Sequence, residues 1–431
     1  MKITEKIKFP TWMKLDNAAT IYPPTLTKRY ASMFRMTITL KEKIDKNLLE
    51  KAISNTIDRF PSFRYRLKQG LFWYYFKYNE QIPEIEKDYK NPLLRINFKK
   101  NKGFMFRIRY FDNRISIEYF HALTDGTGGI TFLLTLAGEY LRLKYKLIIT
   151  YNDKVLNPKD NPKKDEYSDS FQKVARKLGK LEHEKSAYHY NGTKEQSHIL
   201  NIITGIIPVK ELKQKSKEFN CTITQFLTSI MILSIQDIQN REVKKGRKKK
   251  EIKVSIPINL RNLYETKTLR NFSSYSNIGI DPKYGIYSLE EIIKIVKNKM
   301  ELAFTEKIVN AKISANVKLS RNYFIRIIPM FIKKHILSAA EFFMGDRYCT
   351  TTFSNLGLIN LPKEMEEYVK DLGFMIGRSR NKPGTVGCIS CKDKLYITFT
   401  RQIKESEFER LFFTKLVEMN IPVTIESNMG R

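Results

Sequence analysis

The sequence predicts an α+β protein built of two halves, each with mainly antiparallel, mixed sheets flanked by helices. Its 431 residues exceed the size of one ordinary hydrophobic core. Short runs with strand-like alternation recur along the whole chain, separated by turn residues, and segments with helical periodicity lie between them. Hydrophobic residues make up 42% of the chain and aromatic residues 12%, which is typical of a globular protein.

The first half is predicted to follow the order β-α-β-β-β-β-α. Alternation predicts the first strand, amphipathic spacing the helix after it, and aromatic-rich runs around Gln69-Gly70 a hairpin. A further strand pair turns at Asp112-Asn113. The predicted elements are strands at Met33–Leu40, Phe63–Leu67, Leu71–Tyr78, Phe104–Tyr110 and Ile115–Phe120, and helices at Asn47–Ile57 and from Gly126 to about Lys146.

The second half repeats this mixture of strands and helices without a visible sequence repeat. Strands are predicted at His198–Ile207, Ile252–Ile258, Thr350–Ser354, Gly373–Ile376, Gly387–Ser390 and Leu395–Phe399. Helices are predicted at Val209–Phe219, Thr224–Ile238, Leu289–Phe304, Tyr323–Phe343 with a break at Pro329, and Glu405–Met419.

A change in composition sets the predicted domain boundaries. Residues 152–196 contain prolines and many charged side chains with little apolar periodicity, so they predict a crossover linker with a short helix near Phe171–Leu178. An N-terminal subdomain is then expected at residues 1–151 and a C-terminal subdomain at 197–431.

The formal charge of +32 has two interpretations. Lysines spread over solvated faces are one, and an electrostatic funnel for an anionic partner is the other. The densest basic run, Lys244–Lys250, is expected to form a projecting loop. Because neither interleaved aromatic residues nor a nucleic-acid-binding motif accompanies it, we expect no nucleic-acid partner.

Nothing at the start of the chain reads as a targeting signal. Met1–Lys14 lacks a continuous apolar region, and charges interrupt the apolar stretch Phe324–Met344, so a cytoplasmic protein without a transmembrane segment is expected. The protein is also expected to be a monomer.

The basic helix at Arg321–Lys334 is expected to pack into the core with a charged outer face, and a position on a membrane is the alternative. The Cys388–Cys391 spacing is expected to be coincidental, with no metal site.

The segment His121–Gly126 carries the candidate chemistry. His121 directly follows a predicted strand, and Asp125 and Gly126 precede a helix. Strand-to-helix turns often hold functional side chains, and histidine suits a general base near neutral pH. The alternative is a structural histidine at a strand end, with Asp125 only capping the next helix.

This segment resembles the His-x-x-x-Asp-Gly motif of the chloramphenicol acetyltransferase-like superfamily, and above all its alcohol O-acetyltransferase branch. Trp12–Ala19 followed by Tyr22-Pro23 resembles the N-terminal signature of that branch. Ser255–Arg261 resembles the superfamily strand that ends in Pro-x-(Asn/Asp)-x-Arg, and Thr352–Gly357 resembles its Ser-Asn-x-Gly segment. These pieces span most of the chain in the family order.

The resemblance implies two chloramphenicol acetyltransferase-like subdomains that form a pseudo-dimer around a central tunnel. It implies acyl transfer, with acetyl the expected group, from acyl-CoA as co-substrate to a small alcohol or amine, with no bound cofactor and His121 as base. Asp125 would pair with Arg261, because a buried carboxylate needs a cationic partner. Ser354 or Asn355 would donate to the oxyanion. Alternatively, Arg261 is an ordinary surface arginine, and Ser354 and Asn355 are ordinary turn residues.

Two departures from the superfamily pattern argue against a peptide-synthetase condensation domain and against a plant-type acyltransferase. Phe120 stands where condensation domains usually carry a second histidine, and the Asp-Phe-Gly-Trp-Gly motif of plant acyltransferases is absent. Two further alternatives stay open: a non-catalytic ligand-binding or regulatory protein on the same fold, and an acyltransferase that takes its acyl group from an acyl carrier protein.

Overall fold

The computed structural model describes residues 9–27, 30–176, 184–244, 248–344 and 346–429. The described strands are β1 (Trp12–Lys14), β2 (Met33–Leu40), β3 (Tyr65–Gln69), β4 (Tyr74–Tyr78), β5 (Ile85–Lys87), β6 (Phe106–Phe111), β7 (Arg114–Phe120), β8 (Asn201–Pro208), β9 (Ile252–Asn259), β10 (Ser273–Ile280), β11 (Thr351–Ile359), β12 (Val369–Ile376), β13 (Gly384–Cys391), β14 (Lys394–Arg401) and β15 (Thr424–Ser427). The described helices are α1 (Tyr22–Thr25), α2 (Lys46–Thr56), α3 (Gly126–Tyr145), α4 (Phe171–Val174), α5 (Val209–Glu218), α6 (Ile223–Glu242), α7 (Leu289–Ala303), α8 (Glu306–Arg321), α9 (Tyr323–Ile327), α10 (Met330–Met344), α11 (Lys363–Glu366) and α12 (Glu407–Glu418).

Two large sheets and one small sheet organise these strands. The first large sheet has the order β12-β2-β7-β6-β5, and the second has the order β10-β9-β11-β13-β14-β8-β15. Most neighbours are antiparallel, but β5 runs parallel to β6 in the first sheet, and β11 runs parallel to both β9 and β13 in the second. The sheets are therefore mixed, which confirms the α+β prediction. The small sheet has the order β1-β4-β3.

Strand β12 connects the two halves of the chain. It comes from the C-terminal half but pairs antiparallel with β2, from Val369 opposite Leu40 to Ile376 opposite Phe34. Since β12 contributes Leu372 and Phe374 to the core beneath the first sheet, that core contains side chains from both halves. The predicted boundaries at 1–151, 152–196 and 197–431 stay a prediction.

Helix α3 covers the first sheet, and local sequence explains its position. Asp125 caps its N-terminus, and an almost wholly apolar run of side chains lies buried along its first four turns. The Tyr119 hydroxyl of β7 donates to the Gly129 carbonyl oxygen at 2.8 Å, which ties the strand to the helix. The helix ends at Lys146, whose φ of 58° is left-handed.

The second core lies between the seven-stranded sheet and helices α6, α7 and α12. Helix α6 begins with a capping box in which Thr222 and Gln225 exchange side-chain and backbone hydrogen bonds. The helix therefore begins one residue before its predicted start at Thr224. Among the described helices none is both long and apolar enough to span a membrane alone; α5 and α6, bent by 80°, reach that length and composition only when taken together.

The predicted linker packs closely where it is described. Val155 and Phe171 are buried, and Glu166 forms a buried ion pair with Arg59 of the first half. The short predicted helix is observed as α4, and its predicted end at Leu178 lies outside the described residues. Part of the basic run, residues 245–247, also lies outside them.

Several expectations need correction. The sequence analysis predicts none of the strands β1, β5, β10 and β15 and none of the helices α1, α8 and α11, so the predicted order of the first half lacks three elements. The break at Pro329 is confirmed, but the core packing expected around Arg321–Lys334 is wrong, because Tyr323, Phe324 and Phe331 are 70%, 75% and 63% exposed. Their side chains stand outward in a segment that was expected to turn charges to solvent.

The four cysteines are free thiols. Cys388 and Cys391 are buried within β13, one in each of the two large cores. Burial raises the pKa of both thiols, for Cys391 to about 11, so neither has the thiolate character of a redox motif.

Candidate active site

His121 lies at the end of strand β7, where the chain turns toward helix α3. Its backbone N–H donates to the Ser32 carbonyl oxygen at 2.8 Å, just before β2 begins. This bond fixes the turn to the neighbouring strand, so the side chain starts from a rigid position. The histidine side chain is half-buried and lines a cavity.

The cavity has a volume of about 250 Å³ and draws its walls from both large sheets. Strands β2 and β12 supply Phe34 and Phe374, while β9, β11 and β13 supply residues such as Pro257 and Thr385. Of the predicted site residues, it is lined by His121, Asp125, Gly126, Ser354 and Asn355. One cavity thus gathers residues that lie more than 200 positions apart in the sequence. A continuous tunnel within a pseudo-dimer stays a prediction.

Two aromatic rings and one amide hold the imidazole of His121. Tyr22 stacks on it with ring centroids 4.7 Å apart, and Phe34 meets it edge-on at 5.1 Å. The Nδ1 atom lies 3.1 Å from Oδ1 of Asn271. An amide oxygen only accepts, so in this arrangement Nδ1 carries the proton and Nε2 keeps its lone pair.

The orientation of Asn271 is itself determined by Asp16. Nδ2 of Asn271 donates to Oδ2 of Asp16 at 3.4 Å, and the carboxylate requires the NH₂ side of the amide. Asp16 is fully buried, and it also accepts from the Ala19 N–H and pairs with Arg270. Burial raises the pKa of Asp16 to about 6, against the opposing charge of Arg270. Above that pH the chain Asp16–Asn271–His121 fixes the imidazole tautomer.

Burial also acts on His121. It lowers the pKa of the imidazole from 6.5, while hydrogen bonding within the residue, the Asp125 charge and Asn271 partly oppose this shift. The ring is consequently neutral at physiological pH, which is the form that accepts a proton.

The carboxylate of Asp125 is occupied by hydrogen bonds that hold the backbone. Its Oδ1 accepts from the N–H groups of Thr127 and Gly128 at 3.1 and 3.2 Å, which caps helix α3. Its Oδ2 accepts from Nη1 of Arg261 and from the Phe272 N–H, both at 2.8 Å. With four donors around it, the buried carboxylate joins the turn after β7 to the start of β10.

Arg261 lies in the turn after β9, behind Asp125 and outside the cavity lining. Besides the ion pair, it donates to the carbonyl oxygens of Thr268 and Arg270 at 2.8 and 2.7 Å. Its side chain is only 10% exposed. The surface-arginine alternative is therefore wrong: Arg261 organises the loop that carries Asn271 toward His121.

The remaining predicted residues lie across the cavity on β11. The amide of Asn355 is engaged at both ends, since Nδ2 donates to Thr224 and Oδ1 accepts from the Gly357 N–H. Ser354 precedes it and lines the cavity directly. Gly126 begins α3 beside Leu356, where a Cβ atom would lie 2.6 Å from Cδ2 of that leucine.

Sequence reasoning missed Asn271, and it named Asp16 and Tyr22 only as parts of a family signature. Neither periodicity nor a local motif distinguishes Asn271 from the other asparagines of the chain. Within the described residues, no group of three or more His, Cys, Asp or Glu side chains could hold a metal ion.

The chain resembles known acyltransferases in sequence. Residues 164–406, more than half of the chain, match the family described as alcohol acetyltransferase. No curated protein shows significant sequence similarity to the chain.

Solved structures with similar folds are known. Polyketide synthase associated protein 5 from Mycobacterium tuberculosis is 13% identical with a TM-score of 0.57, covering 95% of this chain and 98% of that one. Trichothecene 15-O-acetyltransferase from Fusarium sporotrichioides is 11% identical with a TM-score of 0.59, covering 94% of both chains. A double mutant of the starter condensation domain of rhizomide synthetase, in complex with C8-CoA and Leu-SNAC, is 12% identical with a TM-score of 0.58, covering 94% of this chain and 93% of that one. The chain shares this fold along nearly its whole length.

Proposed function

The chain belongs to the alcohol acetyltransferase family, and we propose that it moves an acyl group from acyl-CoA to a hydroxyl or amine acceptor with His121 as the general base. The observation that carries this proposal is the cavity-lining imidazole whose Nδ1 is held by Asn271. A ring fixed in this way offers Nε2 as the proton acceptor.

The proposed reaction needs no covalent enzyme intermediate. Nε2 of His121 removes the proton of the acceptor hydroxyl, and the oxygen attacks the thioester carbonyl carbon. The tetrahedral intermediate collapses, the C–S bond breaks, and the thiolate takes the proton back from the imidazolium. An ester and CoA leave, so atoms and charge balance.

The oxyanion of that intermediate needs a donor near the carbonyl oxygen. Ser354 is the better candidate of the two predicted residues, because Asn355 already donates one of its two amide N–H groups to Thr224. Asp125 and Arg261 are proposed to hold the turn and the β10 loop rather than to touch substrate, since both oxygens of the Asp125 carboxylate are already engaged by backbone N–H groups and Arg261.

Acyl-CoA is proposed as the donor because a structurally similar condensation domain binds C8-CoA. The +32 charge of the chain would favour approach of the CoA phosphates. Transfer from an acyl carrier protein is separable by experiment: carrier docking depends on exposed charges, and salt would weaken it strongly.

The test is thiol release from acetyl-CoA and longer acyl-CoAs with a panel of alcohols and amines. His121→Ala is expected to lower turnover by about a hundredfold or more, the usual contribution of a general base. His335→Ala is the matched control, because His335 is exposed on α10. Full turnover by a folded His121→Ala protein would exclude the general-base role, and no turnover by the wild type with any donor would favour a binding protein.

A further inference from the structure

Helices α9 and α10, with the end of α8, form a surface on which large apolar side chains face solvent while a lysine is buried beneath them. Seven large apolar side chains there are between 44% and 75% exposed: Leu319, Tyr323, Phe324, Ile327, Phe331, Ile332 and Ile336. Helix α9 buries none of its residues. The side chain of Lys333, by contrast, is buried and donates to the carbonyl oxygens of Phe72 and Arg326. We call this the α8–α10 surface.

The β3–β4 turn extends the same surface. The Met330 N–H donates to the Leu71 carbonyl oxygen at 2.7 Å, so the turn lies against the start of α10. Leu71 and Trp73 in this turn are 66% and 49% exposed. Apolar side chains exposed together on neighbouring elements indicate an interaction site, whereas single exposed apolar residues are common on protein surfaces.

The charge of this segment has one sign. Residues 318–339 contain five Lys or Arg and no Asp or Glu. Lys318, Arg321, Arg326 and Lys334 are exposed and alternate along the sequence with the exposed apolar side chains. A protein interface usually has an apolar core with a polar rim. Interspersed cations and apolar groups fit instead a bilayer boundary, where aromatic and aliphatic side chains reach the acyl chains and cations meet headgroup phosphates.

The surface lies close to the catalytic cavity. Helix α10 packs against α1, whose Tyr22 stacks on His121. Nη1 of Arg380 donates to the carbonyl and hydroxyl oxygens of Ser338 on α10, and the neighbouring residue Ser379 lines the cavity.

We propose that the α8–α10 surface docks the protein on an anionic lipid bilayer. Docking inserts the apolar side chains of α9 and the first turns of α10 at the level of the headgroups and places the adjoining side of the cavity near the bilayer. This binding is independent of the chemistry at His121 and is measurable without turnover.

The experiment is co-sedimentation of the full chain with phosphatidylcholine vesicles that contain or lack phosphatidylglycerol. We expect binding to the anionic vesicles, weakened by salt and nearly absent without phosphatidylglycerol. Phe324→Ser with Phe331→Ser is expected to weaken binding by about tenfold or more, since each phenylalanine contributes substantial burial. Arg326→Gln with Lys334→Gln is expected to weaken binding and its salt dependence.

A matched control keeps the test specific. Tyr284→Ser with Ile286→Ser removes two side chains that are 76% and 73% exposed elsewhere, and it is expected to bind as the wild type does. The chain has two tryptophans, so Trp12→Phe leaves Trp73 as a reporter whose emission should shift to the blue on docking. Equal binding to neutral and anionic vesicles, equal loss in the control, or no binding would overturn the proposal. If the wild type binds an acidic acyl carrier protein but no vesicles, and the variants of the α8–α10 surface lose that binding, the surface belongs to a protein partner and the lipid proposal is overturned.

Discussion

Asp125 offers a sharp test of the energetics at the site. Its carboxylate makes four hydrogen bonds, two that cap α3 and two that cross to Arg261 and Phe272. Asp45 caps α2 in the same way, with Oδ1 accepting from the N–H groups of Asn47 and Leu48, but it is exposed and no cation pairs with it in the described structure. Replacing either aspartate with alanine removes a cap, and only one replacement also breaks a buried ion pair.

The expected magnitudes follow from these contacts. Loss of an N-cap costs about 1 kcal/mol of unfolding free energy. Breaking a buried ion pair from one side costs about 3–5 kcal/mol, because the remaining charge stays buried without its counter-charge. We therefore expect Asp45→Ala to lose about 1 kcal/mol and Asp125→Ala about 4–6 kcal/mol. Asp125→Asn keeps the cap and turns an NH₂ group toward Arg261, so it should lose about 3–5 kcal/mol.

Urea unfolding of the wild type and the three variants, followed by far-UV circular dichroism, measures these differences. The comparison is meaningful if the m-values agree, because the same surface is then exposed in each case. If Asp125→Ala and Asp45→Ala differ by less than about 1 kcal/mol, the ion pair does not stabilise the loop in the manner described.

The remaining predictions concern the histidine and its supports. Because burial lowers the pKa of His121, the acid limb of kcat/KM should lie below pH 6.5, and a midpoint above it would contradict the assigned environment. Asn271→Ala should lower kcat about tenfold or more with little change in KM, whereas a rise in KM alone would indicate a substrate contact. Asp16→Asn should remove from the pH profile of kcat/KM the contribution of Asp16 near pH 6 and leave the contribution of His121 in place. Gly128→Ala should destabilise the fold by more than 1 kcal/mol in urea unfolding, since its Cβ would lie about 2.1 Å from the Leu269 carbonyl oxygen; a neutral effect would show that the contact relaxes.

The sequence predicts best those elements whose local signals agree with their packing. Strand β2 is observed at Met33–Leu40, as predicted, and α3 ends within one residue of its prediction, because alternation, capping and burial all agree there. Strand β10 was missed because Ser273, Ser274 and Ser276 interrupt its apolar pattern, and its position beside β9 is decided by pairing. Helix α8 buries Val309, Ile313 and Val317 four residues apart, a narrow stripe that periodicity could have revealed.

The membership of β12 in the first sheet shows a different limit. Its own pattern predicts a strand, but nothing in residues 369–376 states which sheet it joins. The choice depends on the register with β2, and this in turn places Phe374 opposite Met36 in the first core. Long-range pairing of this kind is set by complementary surfaces rather than by local sequence.

The candidate site also contains residues that a local motif reveals and residues that only the folded structure brings together. His121 and Asp125 lie four residues apart in one turn, so a short motif reveals both, and the family resemblance implies Arg261 as the partner of the carboxylate, a pairing that the structure contains. Asn271 acts on the histidine from 150 residues away, and its orientation depends on Asp16, 255 residues from it. A neutral amide carries no charge that demands a partner, so only the folded structure shows that it contacts the imidazole. The ion pair that the sequence reveals holds the loop bearing Asn271, and the hydrogen bond that it does not reveal is the one that determines which nitrogen of His121 carries the proton.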